Sequence, residues 1–211
     1  MKILVAWEES QAVCIELRKL GHEAYSCDID KCSGGFPQWH IRADVLPLLN
    51  GDCEFITSGG IRHTISGAWD MIIAFPPCTY LSNAGAKHLF RGGELNQKRY
   101  KKGLEAKEFF MKILNANCPK KAVENPISSR IFEIPPPTQV IQPWQFGHPV
   151  QKKTRLWLKG LPKLEPTAIV DPKCGCHEAG TWFMKGGKDR QKNRAKTFPG
   201  IAKAMALQWG K

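Results

Sequence analysis

The sequence predicts an α/β domain built on a mostly parallel sheet, and three observations carry that expectation. Residues 2–6, KILVA, are an apolar run rich in branched side chains. Residues 11–20 follow with Val13, Cys14, Leu17 and Leu20 at helical spacing, and Gly21 stands where a helix should stop. Residues 22–27 then read as a second strand that closes on Asp28 and Asp30. Strand, helix and strand with such short joints make a βαβ unit, which requires parallel strands.

The remaining elements follow in order. Ser10 is placed to cap the first helix. Residues 41–45 read as a short third strand with Asp44 near its end, and the turn-rich stretch 51–67 has room for a hairpin. Residues 69–74 read as the strand that delivers Cys78, and residues 96–114 as a long helix. Residues 121–124 make a strand ending at Asn125-Pro126, and prolines 135 to 137 end that unit. A strand at 154–158 and a closing helix at 201–209 complete the chain. At 211 residues the sequence reads as one domain spanning 1–211, with segment 159–196 as a small insert.

Lys and Arg number 31 against 19 Asp and Glu, a formal charge of +12. Such an excess suits a polyanion, nucleic acid first, although a merely solvated basic surface gives the same balance. Much of it lies in KRYKK (98–102), QKKTR (151–155) and the run 185–196. No apolar run approaches the ~20 residues of a membrane span. The first residues turn acidic too soon for a signal peptide, so a cytoplasmic protein with no membrane partner is expected. The eight cysteines follow no scaffold spacing and read as reduced thiols, several of them in the core.

Polar residues gather where the strands end: Glu8 and Glu9, Asp28, Asp44, Cys78 and Glu124. Open parallel sheets bind ligands beyond those ends, and unpaired carboxylates are costly to bury. A chance scatter of surface acids is the alternative. Cys78 directly follows Pro76 and Pro77, whose fixed φ and missing N–H groups make a rigid elbow.

Three stretches together resemble the DNA cytosine-5 methyltransferases: PPCTYLSNAG (76–85), AVENPISS (122–129) and QKKTR (151–155). They stand where that family has its Pro-Cys, Glu-Asn-Val/Pro and Q-x-R-x-R signatures. The opening 4–13 and 20–30, Ala43-Asp44-Val45 and the ending TFPGIAKAMALQWG are similar to its cofactor motifs and closing helix. Over nearly its whole length the chain resembles the short members carried by phages and prophages. The resemblance implies a Rossmann-like methyltransferase fold, S-adenosylmethionine as cofactor, DNA as partner, and a bacterial or phage-infected cytoplasm. It implies Cys78 as nucleophile on cytosine carbon 6, Glu124 on ring N3, Arg155 on O2 and Lys153 beside it. Trp7, Glu8, Ser10, Asp28, Ile29, Asp44, Val45, Phe75 and Pro76 would then line the cofactor, with Asp28 on the ribose hydroxyls and Asp44 on the adenine amino group. A thiolate is needed because cytosine carbon 5 is too weak a nucleophile until carbon 6 carries an electron donor.

The chain departs from that pattern in three places. AWEESQ (6–11) holds no glycine, Lys153 replaces an arginine, and the insert is too small for a separate base-reading domain. Weak sequence preference, a single-stranded substrate or an accessory protein is therefore expected. Within the insert Cys174, Cys176 and His177 are metal-capable, but a closed zinc site takes four ligands, so another such as His148 would have to join them. Two other functions remain open: a regulatory DNA-binding relative, or the same carbon-6 chemistry on a free nucleotide or with a group other than methyl.

Overall fold

The computed structural model describes residues 1–86, 88–172 and 196–211. Its strands are β1 (Lys2–Ala6), β2 (Glu23–Asp28), β3 (His40–Arg42), β4 (Cys53–Ile56), β5 (Arg62–Ile65), β6 (Met71–Ala74), β7 (Phe90–Arg91), β8 (Glu94–Leu95), β9 (Lys120–Pro126), β10 (Gln139–Ile141) and β11 (Thr154–Lys159). Its helices are α1 (Ala12–Lys19), α2 (Asn83–Ala86), α3 (Gln97–Leu114) and α4 (Pro199–Trp209).

Seven strands form one sheet in the order β3-β2-β1-β6-β9-β11-β10. β1, β2, β3, β6 and β9 pair in parallel, while β11 runs antiparallel to both its neighbours. This is an α/β fold compatible with a Rossmann-like arrangement. Chain order reverses between β1 and β6, the point past whose carboxyl ends sheets of this kind bind ligands.

The central strands are apolar throughout because both faces of the sheet are covered. Leu4, Ile72 and Val123 face one core with Phe110 and Ile113 of α3, Trp69 and the β4–β5 hairpin. Ile3, Val5, Met71 and Ile73 face the other, beneath α1 and the almost wholly apolar inner side of α4. The two helices of that second face pack on each other, joining the chain's opening unit to its closing helix. Lys121 is buried, and its ammonium donates to the Leu114 and Ala116 carbonyls at 2.6 and 2.8 Å, closing the end of α3. Burial lowers its pKa.

Several expectations need correction. Ser10 does not cap α1: the N-cap is Gln11, and the Glu8 carboxylate takes the first helical amides instead. The third strand is His40–Arg42, which leaves Asp44 in the following loop. His40, which from its place after Trp39 reads as a surface residue, is fully buried between the Ser26 hydroxyl and the Asp30 carbonyl, each at 2.9 Å. Trp69 precedes β6 and is buried, donating its indole N–H to the Leu48 carbonyl at 2.6 Å. The strand β10 has no counterpart in the sequence reading. The described part of the insert is bound to the body: Gln139 exchanges two hydrogen bonds with Leu164, and Gln208 two with Glu165.

Candidate active site

β6 ends at Ala74, and Phe75, Pro76 and Pro77 carry the chain to Cys78. The Cys78 carbonyl accepts from the Leu81 and Ser82 amides at 3.1 and 2.9 Å, closing a turn that leaves the thiol half-exposed. Beyond it the Pro-Cys and Glu-Asn-Pro stretches are laid side by side. Asn83 N–H donates to the Ile127 carbonyl at 2.8 Å, Ser129 N–H to the Leu81 carbonyl at 2.7 Å, and Ser82 bridges Ser128. Asn125, buried in β9, donates its side-chain amide to the Pro76 carbonyl at 3.3 Å. A Cβ on Gly85 would lie 2.1 Å from the Thr79 carbonyl oxygen, so only glycine lets the loop fold back there. Arg99 fastens the fold-back by donating to the Thr79 and Gly85 carbonyls at 3.4 and 3.1 Å.

Glu124 leaves the opposite face of β9. It shares a cavity of about 20 Å³ with Phe75, Lys152, Thr154, Phe198 and Met205. That is room for about one water molecule. Burial raises the Glu124 pKa, and the nearby Lys152 ammonium opposes the rise. Lys152 also lies 5.7 Å from the centre of the Phe198 ring. Lys152 is thus the cation at this carboxyl, and Lys153 is exposed just before β11.

Arg155 stands across from Asn125, and Glu124 across from Leu156. Directly opposed residues in an antiparallel pair share a face, so the guanidinium and the carboxyl leave opposite sides of the sheet. One base touched by both would have to sit past the strand ends. A groove of about 960 Å³ runs between α3 and residues 46–50, and the Pro-Cys loop contributes nothing to its lining.

At the switch point, the turn after β1 lacks glycine yet takes glycine-like dihedrals: Trp7 has φ 58° and Gln11 φ 59°. Surroundings offset the strain. Trp7 meets Phe109 edge-on at 5.2 Å, and the Gln11 amide exchanges two hydrogen bonds with the Phe36 backbone, at 2.9 and 3.1 Å. Glu8 turns inward, accepting from Val13 N–H at 2.6 Å and Cys14 N–H at 3.2 Å. Burial pushes its pKa up to about 8 against the pull of those amides.

Of the other residues expected at the cofactor, Asp28 ends β2, accepts from the Asp30 amide at 2.9 Å and has its pKa raised by burial. Ile29 beside it is 71% exposed. Asp44 is exposed and accepts from Leu46 N–H at 3.1 Å, while Val45 and Pro76 are buried and Ser10 and Phe75 partly so. A carboxylate at the end of β2 and another in the loop after β3, with exposed Ile29 following the first, suit a nucleoside with a polar edge and a flat face. They offer nothing to a phosphate. The Cys174, Cys176 and His177 group lies outside the described residues. His148 is committed elsewhere: its Nε2 accepts from Gly200 N–H at 2.9 Å at the start of α4, and burial lowers its pKa.

Among the described residues no helix is long and apolar enough to cross a membrane, and no group of three or more metal-capable side chains gathers. Comparison with known proteins finds neither a matching family model nor a matching curated relative.

Proposed function

We propose that the protein transfers a methyl group from S-adenosylmethionine to carbon 5 of cytosine in DNA, with Cys78 as the nucleophile. The observation that carries this reading is the Asn125 to Pro76 hydrogen bond, with the paired segments beside it. It locks the strand bearing Glu124 to the elbow bearing Cys78, the joint that covalent pyrimidine chemistry needs.

In this reading the Cys78 thiolate adds to carbon 6 and the ring electrons move to carbon 5. Glu124, whose pKa burial raises, would donate to ring N3 in its protonated form and support the charge that develops there. Once carbon 5 is substituted, loss of its proton to a base expels sulfur from carbon 6 and restores the aromatic ring. The cofactor supplies an electrophilic methyl group. Asp28 would accept from its ribose hydroxyls and Asp44 from its adenine amino group. The chain's own Glu8 already occupies the amides at the start of α1, where dinucleotide-binding folds hold a pyrophosphate. That favours a cofactor without phosphates over a nicotinamide or flavin dinucleotide.

The test is DNA containing 5-fluorocytosine, incubated with the protein and S-adenosylmethionine. The fluorine cannot leave as a proton does, so a covalent complex accumulates with the native protein and none with Cys78→Ser. Absence of any complex, together with absence of methyl transfer to ordinary DNA, sinks the proposal. A second reading, a DNA-binding relative without turnover, draws on the opposed faces of Glu124 and Arg155. It requires salt-sensitive DNA binding that Cys78→Ser leaves intact, with no label transferred.

A further inference from the structure

We propose that Tyr80, Arg99 and Lys102 form a platform that holds single-stranded DNA next to Cys78; this deepens the function proposed above and rests on it for the kind of polymer. Tyr80 lies two residues beyond the nucleophile on the locked loop. The Arg99 guanidinium is 5.1 Å and the Lys102 ammonium 5.6 Å from the centre of its ring, and Lys102 also reaches the phenol oxygen at 3.5 Å. Arg99 is the same side chain that ties down the Thr79 and Gly85 carbonyls, so ring, cations and elbow form one connected body.

Around it the surface is cationic and aromatic. Lys98, Lys101, Lys102, Arg91 and His88 are exposed, and Phe90 on the neighbouring β7–β8 hairpin is 53% exposed. The ion pairs among the described residues, Lys19 with Glu16 and Arg62 with Glu54, lie elsewhere. A helix start shaped only for solvent favours acids in its first turn. Here the first turn of α3 holds no acid, Lys98 and Lys102 sit four apart with like charge, Lys98 and Arg99 oppose the helix dipole, and the acids Glu105 and Glu108 come only further along. Asn96 already accepts from the Arg99 amide at 3.0 Å, so the helix end itself is served. The side chains carry a local cost that a phosphate strand would relieve.

The form of the DNA follows from the ring. A tyrosine set among cations stacks on the face of an unpaired base, whereas a duplex keeps those faces covered. Ring and charge would grip the nucleotide beside the reacting base, leaving that base free to turn toward Cys78. No separate reading domain is then needed.

The experiment measures binding by full-length Cys78→Ser protein of a short labelled oligonucleotide and of the matching duplex. The single strand is expected to bind more tightly. Tyr80→Ala should weaken single-strand binding about tenfold, with Tyr80→Trp restoring it. Lys102→Gln should flatten the slope of log affinity against log salt by about 0.7. Equal or tighter duplex binding overturns the inference. So does unchanged affinity in Tyr80→Ala, or a Tyr80→Trp protein as weak as Tyr80→Ala. Failure of the chemistry reads differently: Tyr80-dependent binding without a 5-fluorocytosine complex in the Cys78-containing protein keeps the platform and removes the transferase. A complex formed at unchanged strand affinity in Tyr80→Ala removes the platform and keeps the transferase.

Discussion

Asn125 and Pro76 are 49 positions apart in the chain, yet the amide of one donates to the carbonyl of the other at 3.3 Å inside the protein. That single bond couples β9 to the elbow after β6. Asn125→Ala removes the donor and leaves a carbonyl unserved. Stability should fall by about 1–3 kcal/mol in urea titration. Formation of the 5-fluorocytosine complex should slow further than that loss explains, because Cys78 loses its fixed aim. Unchanged trapping kinetics in a folded variant would separate the bond from the chemistry.

Glu8 titrates near neutrality in the folded chain, about 8 against an ordinary 4.5. A raised folded pKa means the native state holds its proton when the unfolded chain has released it. The contribution is full below about 4.5 and is lost as pH rises to about 8. Unfolding free energy should therefore decline across that window, and Glu8→Gln should flatten that part of the curve.

His148 works with the opposite sign. Its Nε2 accepts the Gly200 amide and so carries no proton, and burial holds its pKa below the usual 6.5. The unfolded chain takes up the proton first, so stability should drop as pH falls below about 6.5. His148→Gln keeps an acceptor and removes this dependence; amide exchange at Gly200 reports the same bond directly.

Gly103 faces the ring of Phe132, and a Cβ there would fall 2.1 Å from the ring's Cζ. Phe132 is buried just beyond the segment that pairs with the Pro-Cys loop. Gly103→Ala overfills that contact and should cost about 1–3 kcal/mol, despite alanine's better helix propensity. Phe132→Leu in the same chain should recover part of the loss, measured by thermal unfolding.

What sequence could show depended on the range of the cause. β1, α1, β2, α3 and α4 are legible because runs, spacing and stop residues act locally. His40 reads as surface because its partners, the Ser26 hydroxyl and the Asp30 carbonyl, sit on other segments. Lys152 carries no signal in the sequence, because its position beside Glu124 follows from how β11 approaches β9, which spacing alone does not give. The missing glycines after β1 mislead in a similar way. Trp7 and Gln11 take the left-handed backbone themselves, held by Phe109 and Phe36 from distant segments. Cys78, Glu124 and Asn125 were visible as motifs; that Asn125 is the joint between them was not.

The apolar lining under α4 is supplied by strands and a helix made long before α4 itself. During synthesis a half-built sheet must wait, greasy on one side, for a cover that comes late in translation. β10 waits too, since its hydrogen-bonding neighbour β11 follows it and must slide between two strands already formed. Such delayed, long-range closure makes folding slow and leaves the nascent chain prone to clumping. Chaperones that hold nascent chains should therefore raise the yield of native protein more than they raise its final stability.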